Sequence, residues 1–516
     1  MPRVYSALVV TAVTMLAFAT SVWPRSAVLD VPATDERSGS SRPHKFEGVA
    51  SCAALACHHG NGPRGSKGSE YTTWAIYDPH AKAYEVLLND RSRGIQERLN
   101  RAEPENRRVA AENNALCLKC HATPPGNLLP LPSRERVSSL PLPFGERAGV
   151  RGEAPATYPP PPTPLLGGGK ERQASHELVY GVGCESCHGP AEQWRADHYS
   201  PLWKERTDKQ ALGFRNTKDL AVRAAICAEC HVGAPDKEVN HDLIAAGHPR
   251  LQFEFAAYLA NYPKHWNADD DKTRHADHEA RAWVMGQIVS SAAALRLLEA
   301  RAENAARRDP SPPTPLPAGE RGAPVGGRAP WPELAEYDCF ACHHDLAPDG
   351  WRQKASYLKQ RSRPGSLLPS AWYLSMPPIL GSSLAVSMKL PLEPLPLGDL
   401  RRAMSNAVPN TTQVAGLARK TASQLEEWLP ALAKIQLEPA TIKEMLHPLE
   451  ELSPGDSWDA AVQRYLMARA LNQELQDSAL EQRLDRTSRE LTFPPNHDSP
   501  RSFNPFTVPD LKPPRD

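Results

Sequence analysis

The chain has 516 residues, of which 60 are basic and 60 acidic, so its formal net charge is zero. That balance gives no support to a partner held by bulk charge, nucleic acid above all, which would need a basic excess or at least a basic stripe. Ten cysteines are too few for a disulfide-dense scaffold of this length. The 52 prolines, roughly twice the usual share near 5%, exclude a chain that is helix or strand throughout.

In chain order, the first feature is an uncharged, mostly apolar run from Val4 to Trp23, preceded by Arg3 and ended by Pro24 and Arg25. A basic start, an apolar middle and the small residues around Ala17 and Ala19 predict that residues 1–24 are a cleaved secretory signal or an uncleaved N-terminal anchor. Either outcome exports the remainder, so a periplasmic or otherwise extracytoplasmic location is expected, with membrane attachment only through the N-terminus.

The first cysteine pair is Cys52 and Cys57, followed by His58. Four further pairs read CxxCH: Cys117, Cys120 and His121; Cys184, Cys187 and His188; Cys227, Cys230 and His231; Cys339, Cys342 and His343. No cysteine is left over. With 18 His among 516 residues, a histidine after every pair is not a chance outcome. Two thiols about one helical turn apart can add to the two vinyl groups of one haem, and the imidazole that follows is then carried to the iron. Zinc sites combine two CxxC pairs and need no histidine after each, and a disulfide redox motif needs one pair, not five. The expected cofactors are five covalently bound haem c groups. In the wider first motif the two extra residues must bulge outward.

Iron that only transfers electrons takes two axial ligands from the protein, whereas iron that binds a small molecule keeps one position open. Thirteen histidines remain after the five proximal ones, so counting does not decide whether one iron is open. Context selects His80, His198, His241 and His248 as candidate distal ligands. His80 follows Asp78-Pro79 at an expected helix start over Asp78–Leu88. His198 comes ten residues after His188, and His241 and His248 are seven apart, about two helical turns.

Two stretches read as linkers, about 123–171 and 308–330, both rich in Pro, Gly and Arg. PLPFGER at Pro141–Arg147 nearly repeats as PLPAGER at Pro315–Arg321, which suits inserted, extended loops. Between them Ala280–Ala306 is an expected amphipathic helix with Val284, Ile288, Ala292 and Leu295 on one stripe. A shorter helix is expected at Leu251–Ala260. Beyond the last cysteine, Leu395–Leu491 reads helical, most clearly at Ser457–Leu475, and the end is an extended tail. The expected organisation is a haem domain over 45–350 and a C-terminal helical module over 351–516. The fold class is mainly α, a multihaem cytochrome c fold with little β and long Pro-rich loops.

GVGCESCHGP at Gly181–Pro190, with Asp197-His198 after it, resembles the cytochrome c-554 type of multihaem cytochrome. The resemblance extends to Trp74 and His80-Ala81-Lys82-Ala83, and to the motifs at Cys117 and Cys227. It covers roughly Val49 to Val232 without the insert. VNHDLIAAGHPRL (Val239–Leu251) and YDCFACHHDL (Tyr337–Leu346) are similar to exported pentahaem relatives of that family. The resemblance implies a mostly helical electron carrier between redox partner proteins. It also implies that His198 ligates the first haem and His80 the third, and that the second haem, at His121, has no distal protein ligand. An enzyme acting on a small nitrogen or sulfur compound at one five-coordinate haem, with His121 as the candidate open iron, is the alternative. The lysine-ligated motif of pentahaem nitrite reductases is absent, because all five motifs end in His.

Overall fold

The computed structural model describes residues 44–123, 180–308, 331–339, 367–387, 392–447 and 457–492. The apolar N-terminal run, both Pro-rich inserts apart from their first residues, Cys342, His343 and the final tail lie outside the described residues.

The fold is mainly helical; among the described residues β structure is confined to two isolated bridges. In the motif-bearing half the helices are short: α1 (Glu70–Tyr77), α2 (Asp90–Asn100), α3 (Ala115–His121), α4 (Cys184–His188), α5 (Leu220–His231), α6 (His241–Ala245), α7 (Phe255–Asn261) and α8 (Ala268–Arg274). Polar side chains start most of them by accepting the first free backbone N–H groups: Asn89 for α2, Asn114 for α3, Asp219 for α5, Asn240 for α6, Glu254 for α7 and Asn267 for α8. The expected helix over Asp78–Leu88 is instead two 3-10 turns, Pro79–Lys82 and Glu85–Leu88. Asp78 accounts for the break, since its carboxylate takes both the backbone N–H and the ring of His80.

The long helix α9 (His278–Arg308) forms the spine. Val284, Ile288, Ala292 and Leu295 are all buried on it. One side meets α5 and α7, which belong to the motif-bearing half. The other meets α10 (Pro377–Ser387), α12 (Thr411–Leu432) and α14 (Trp458–Leu475). α11 (Leu397–Met404), α13 (Pro439–Leu446) and α15 (Ser478–Leu491) complete the C-terminal helices. One apolar core runs through all of this, from Leu220 on α5 through Trp283 and Leu295 to Leu425 and Leu484. Gly286 lets α7 approach, because a Cβ there would stand 2.5 Å from the Phe255 Cβ. The loss of helix propensity, about 1 kcal/mol against Ala, is offset by that contact.

Ion pairs lie along the edge of the α9–α12 contact: Arg296 bridges Glu426 at 2.7 Å and Glu299 at 2.9 Å. These are partly exposed pairs, worth about 1 kcal/mol or less each, so apolar burial carries the contact. Leu425→Ala, at a fully buried position facing that contact, is expected to cost about 2–5 kcal/mol of stability, read as a lowered urea midpoint.

Glu254 is buried at the start of α7, and burial pushes its carboxyl up to about 7 against the partial offset of N–H groups from Ala257 and Ala256. Between its ordinary value of 4.5 and about 7 the folded chain holds a proton that the unfolded chain has released. Stability therefore falls as pH rises through that window. Glu254→Gln is expected to flatten the slope, measured as urea midpoints at about pH 5 and about pH 8.

Candidate haem centres

Three of the motifs close a helix on their histidine: α3 ends at His121, α4 at His188 and α5 at His231. The i, i+3 spacing sets both thiols on one side of a single turn, with the imidazole next to them. The first motif is no helix. His58 N–H and Cys57 N–H both return to the Ala54 carbonyl, and Leu55 projects from that turn, 79% exposed. None of the nine described cysteines forms a disulfide. Burial pushes the Cys187 and Cys227 thiols up to about 12, so these are not exposed, reactive thiolates.

The structure brings each described motif histidine opposite a second histidine from a distant part of the chain. Ring centroids are 6.0 Å apart for His58 and His198, 6.5 Å for His121 and His248, 6.2 Å for His188 and His265, and 5.9 Å for His231 and His80. Two metal–imidazole bonds of about 2 Å, with about 1 Å from each nitrogen to its ring centre, separate trans imidazoles by about 6 Å. All four pairs have that separation, and rotation about the axis leaves any interplanar angle open.

The outer nitrogen is occupied in five of these eight rings. His58 Nδ1 donates to Glu70 Oε2 at 3.1 Å, His80 Nδ1 to Asp78 Oδ1 at 2.8 Å and His121 Nδ1 to the Ala83 carbonyl at 2.9 Å. His198 Nδ1 donates to the Arg195 carbonyl at 2.6 Å and His248 Nδ1 to the Pro249 carbonyl at 2.8 Å. A carbonyl or carboxylate can only accept, so the proton sits on Nδ1 and Nε2 keeps its lone pair for a metal. The hydrogen bond from His58 to Glu70 raises the His58 pKa. Burial pushes His188 and His231 down to about 4, which leaves both neutral and able to ligate. Asp78 is itself buried and also accepts from the Tyr262 hydroxyl at 2.5 Å, so the orientation of His80 is fixed from two sides.

These features fit haem. Its iron would need only two protein ligands, and each facing ring pair could supply them. A bare metal ion would need a cage, and among the described residues no three His, Cys, Asp or Glu side chains converge as one. Trp194 Nε1 and His265 Nδ1 are buried without a hydrogen-bond partner beside two of the ring pairs.

The thiols also meet between motifs. Cys52 lies beside Cys184, and Cys120 beside Cys230, so the first motif adjoins the third and the second adjoins the fourth. A backbone knot ties these together: Val182 N–H donates to the His80 carbonyl at 2.9 Å and Thr123 N–H to the Gly181 carbonyl at 2.8 Å. Gly181 has φ +62°, and a Cβ there would stand 2.6 Å from the His80 carbonyl oxygen. That position requires glycine.

Two assignments carried by the family resemblance differ from this geometry. His80 does not face the third motif; its ring stands against His231 of the fourth, and His265 faces His188 instead. His121, expected to lack a partner, faces His248. His241 starts α6 with its N–H on Glu333 Oε1 at 2.8 Å, beside the segment that leads to Cys339, and has no ring partner among the described residues. His265 escaped the sequence reading. It sits in Tyr262-Pro263-Lys264-His265-Trp266, a loop between α7 and α8 with no periodicity, and its only local signal is the cluster of aromatic neighbours. Asp78 and Glu70 were also missed as ring acceptors, although Asp78 stands two residues before a candidate ligand.

Residues 51–129 match the cytochrome c554 and c-prime family. Over that segment the chain resembles a c554-type cytochrome, which is a c-type electron carrier with covalently bound haem, and such cytochromes are typically extracytoplasmic. No curated protein and no solved structure matches the chain. Among the described residues no helix is long and apolar enough to cross a membrane.

Proposed function

We propose that the chain is an exported pentahaem c-type cytochrome that passes electrons between redox partner proteins, with four of its haems each held between two histidines. When bound, each haem supplies a one-electron iron couple whose potential follows its axial ligands, hydrogen bonding and burial. Cys52 and Cys57, Cys117 and Cys120, Cys184 and Cys187, and Cys227 and Cys230 hold the four macrocycles, and Cys339 and Cys342 hold the fifth. His58, His121, His188 and His231 bind from one side. His198, His248, His265 and His80 bind from the other. Glu70, Asp78 and the carbonyls of Ala83, Arg195 and Pro249 stop five of these rings from rotating and strengthen the opposite nitrogens as ligands.

The observation that carries this reading is the set of four facing ring pairs near 6 Å. Each joins one motif histidine to one histidine outside any motif, an arrangement that packing alone has no reason to repeat. The His121–His248 pair supports a carrier over an enzyme, because a second imidazole occupies the side where a small substrate would bind.

Mass spectrometry and thiol alkylation of the denatured protein test attachment. Five haem additions and no alkylated cysteine are expected, whereas colourless protein with ten reactive thiols would refute the proposal. Electron paramagnetic resonance of the oxidised protein is expected to show low-spin signals for the haems at His58, His121, His188 and His231. His248→Ala is expected to convert about one haem per chain to a high-spin form that binds carbon monoxide. A high-spin, nitric-oxide-sensitive haem at His121 in the unaltered protein would restore the enzyme reading.

A further inference from the structure

Asp78 ends α1 and opens the turn that carries His80, and its side chain is 1% exposed. Its Oδ1 accepts the His80 backbone N–H at 2.9 Å and the His80 Nδ1–H at 2.8 Å, and its Oδ2 accepts the Tyr262 hydroxyl at 2.5 Å. All three neighbours donate, which suits an ionised carboxylate. No arginine or lysine pairs with it among the described residues. A buried anion without a fixed cation is costly, and starting a helical turn does not require one. Asn89, Asn114, Asn240 and Asn267 start helices of this chain with a neutral amide. Capping therefore does not account for the charge.

Its location suggests what it is for. The His80 ring stands 5.9 Å from that of His231, with Nδ1 turned to Asp78 and Nε2 left for a metal. A ferric iron between two neutral imidazoles in a porphyrin keeps one net positive charge, which an added electron removes. A carboxylate that draws on the Nδ1 proton makes the imidazole a stronger ligand and favours the ferric state. Glu70 has the same relation to His58, but its side chain is 29% exposed and the contact is 3.1 Å, so water screens it more. His121, His198 and His248 meet neutral carbonyls. Tyr262, 184 residues away in sequence, acts on the same carboxylate from its other side. Its ring is held by stacking on Trp266 at 5.7 Å, so the hydroxyl is the part that bears on Asp78.

We propose that Asp78 lowers the reduction potential of the haem held between His231 and His80, and that the Tyr262 hydroxyl, by sharing the carboxylate, limits how far the potential falls. The inference rests on reading His231 and His80 as the two ligands of the haem attached at Cys227 and Cys230. One electron from a redox partner turns ferric iron to ferrous, no bond breaks, and the proton stays on His80 Nδ1. Burial keeps solvent from screening the carboxylate, so its effect on that step is undiluted. A donor on Oδ2 draws electron density from Oδ1 and weakens its pull on His80. Asp78 and Tyr262 are positioning residues and do not bond the iron.

The test is a potentiometric titration of the full chain, followed by visible absorbance, in the unaltered protein, Asp78→Asn, Tyr262→Phe and the double variant. Haems are first located by peptide mass, and the component of interest is the one that His80→Met raises by exchanging an imidazole for a thioether. In Asp78→Asn the amide oxygen still accepts from His80, so the ring keeps its orientation while the charge is lost. That component is expected to move upward by at least tenfold in the oxidised-to-reduced ratio at fixed potential, which is about 59 mV for one electron. In Tyr262→Phe it is expected to move downward by about threefold, the worth of one moderate hydrogen bond. In the double variant the loss of the hydroxyl should add nothing, because Tyr262 acts through the carboxylate. A merely structural role would move both single variants in one direction or spread the change over all components, and either result overturns the inference. If Asp78→Asn fails to accumulate or shows a new high-spin haem by electron paramagnetic resonance, Tyr262→Phe decides alone: a downward shift supports the inference and none overturns it. Haem on the Cys227–Cys230 peptide with no component shifted would overturn this inference and leave the proposed function standing. Absence of haem from that peptide in the unaltered protein would overturn the inference and the five-haem reading together.

Discussion

Two imidazoles that share one iron are held about 6 Å apart, and nothing in the protein can relax that gap without losing one of the bonds. Four ring pairs in this chain stand at that separation. Each pair sets a motif histidine against a segment far away in sequence: His58 against the turn after α4, His121 against the segment after α6, His188 against the loop after α7, and His231 against the turn after α1. Under the proposed ligation, the four pairs tie the described residues 44–123 to residues 180–265. Under that proposal short helices suffice there, because the distances across each iron, and not long ridges of packed side chains, would determine where each segment goes.

The polar groups around the pairs follow from the same constraint. An imidazole free to rotate would seldom present Nε2 along the required axis, so its Nδ1 needs a fixed acceptor. The chain supplies two kinds. Glu70 and Asp78 are carboxylates, whereas Ala83, Arg195 and Pro249 contribute backbone carbonyls. A carboxylate pulls harder on the Nδ1 proton than a carbonyl does, so the pairs His58–His198 and His231–His80 differ electronically from His121–His248 even though all use histidine. Asp78 also holds Tyr262, whose ring lies 6.0 Å from His80 and 6.2 Å from His265. One buried carboxylate thus fixes an aromatic group between two of the centres.

The second half of the chain is organised by ordinary burial. α9 carries an apolar surface on most of its circumference, and α5, α7, α10, α12 and α14 cover it from both sides. The motif-bearing half and the C-terminal helices consequently share one core.

The cysteine–histidine motifs were legible from the sequence because thioether attachment demands fixed spacing within a few residues, and local chemistry of that kind survives in a linear string. The long helix α9 was legible for a similar reason, since its period of apolar residues is a local property; the helical character of Leu395–Leu491 could be read in the same way. The ring partners were not. A histidine that faces a motif from far away in sequence needs only to arrive at the right point in space, so His265 carries no spacing that marks it, and the resemblance set His80 against the third motif where the structure sets it against the fourth. The helix expected at Asp78–Leu88 failed because one buried carboxylate diverted the backbone, an effect that periodicity does not register. Sequence alone marked the cysteine–histidine motifs that are proposed to hold the cofactors, and the longer helical stretches. Tertiary structure decided which histidines face each other and which charges lie beside them, because both depend on distances between segments that no local pattern encodes.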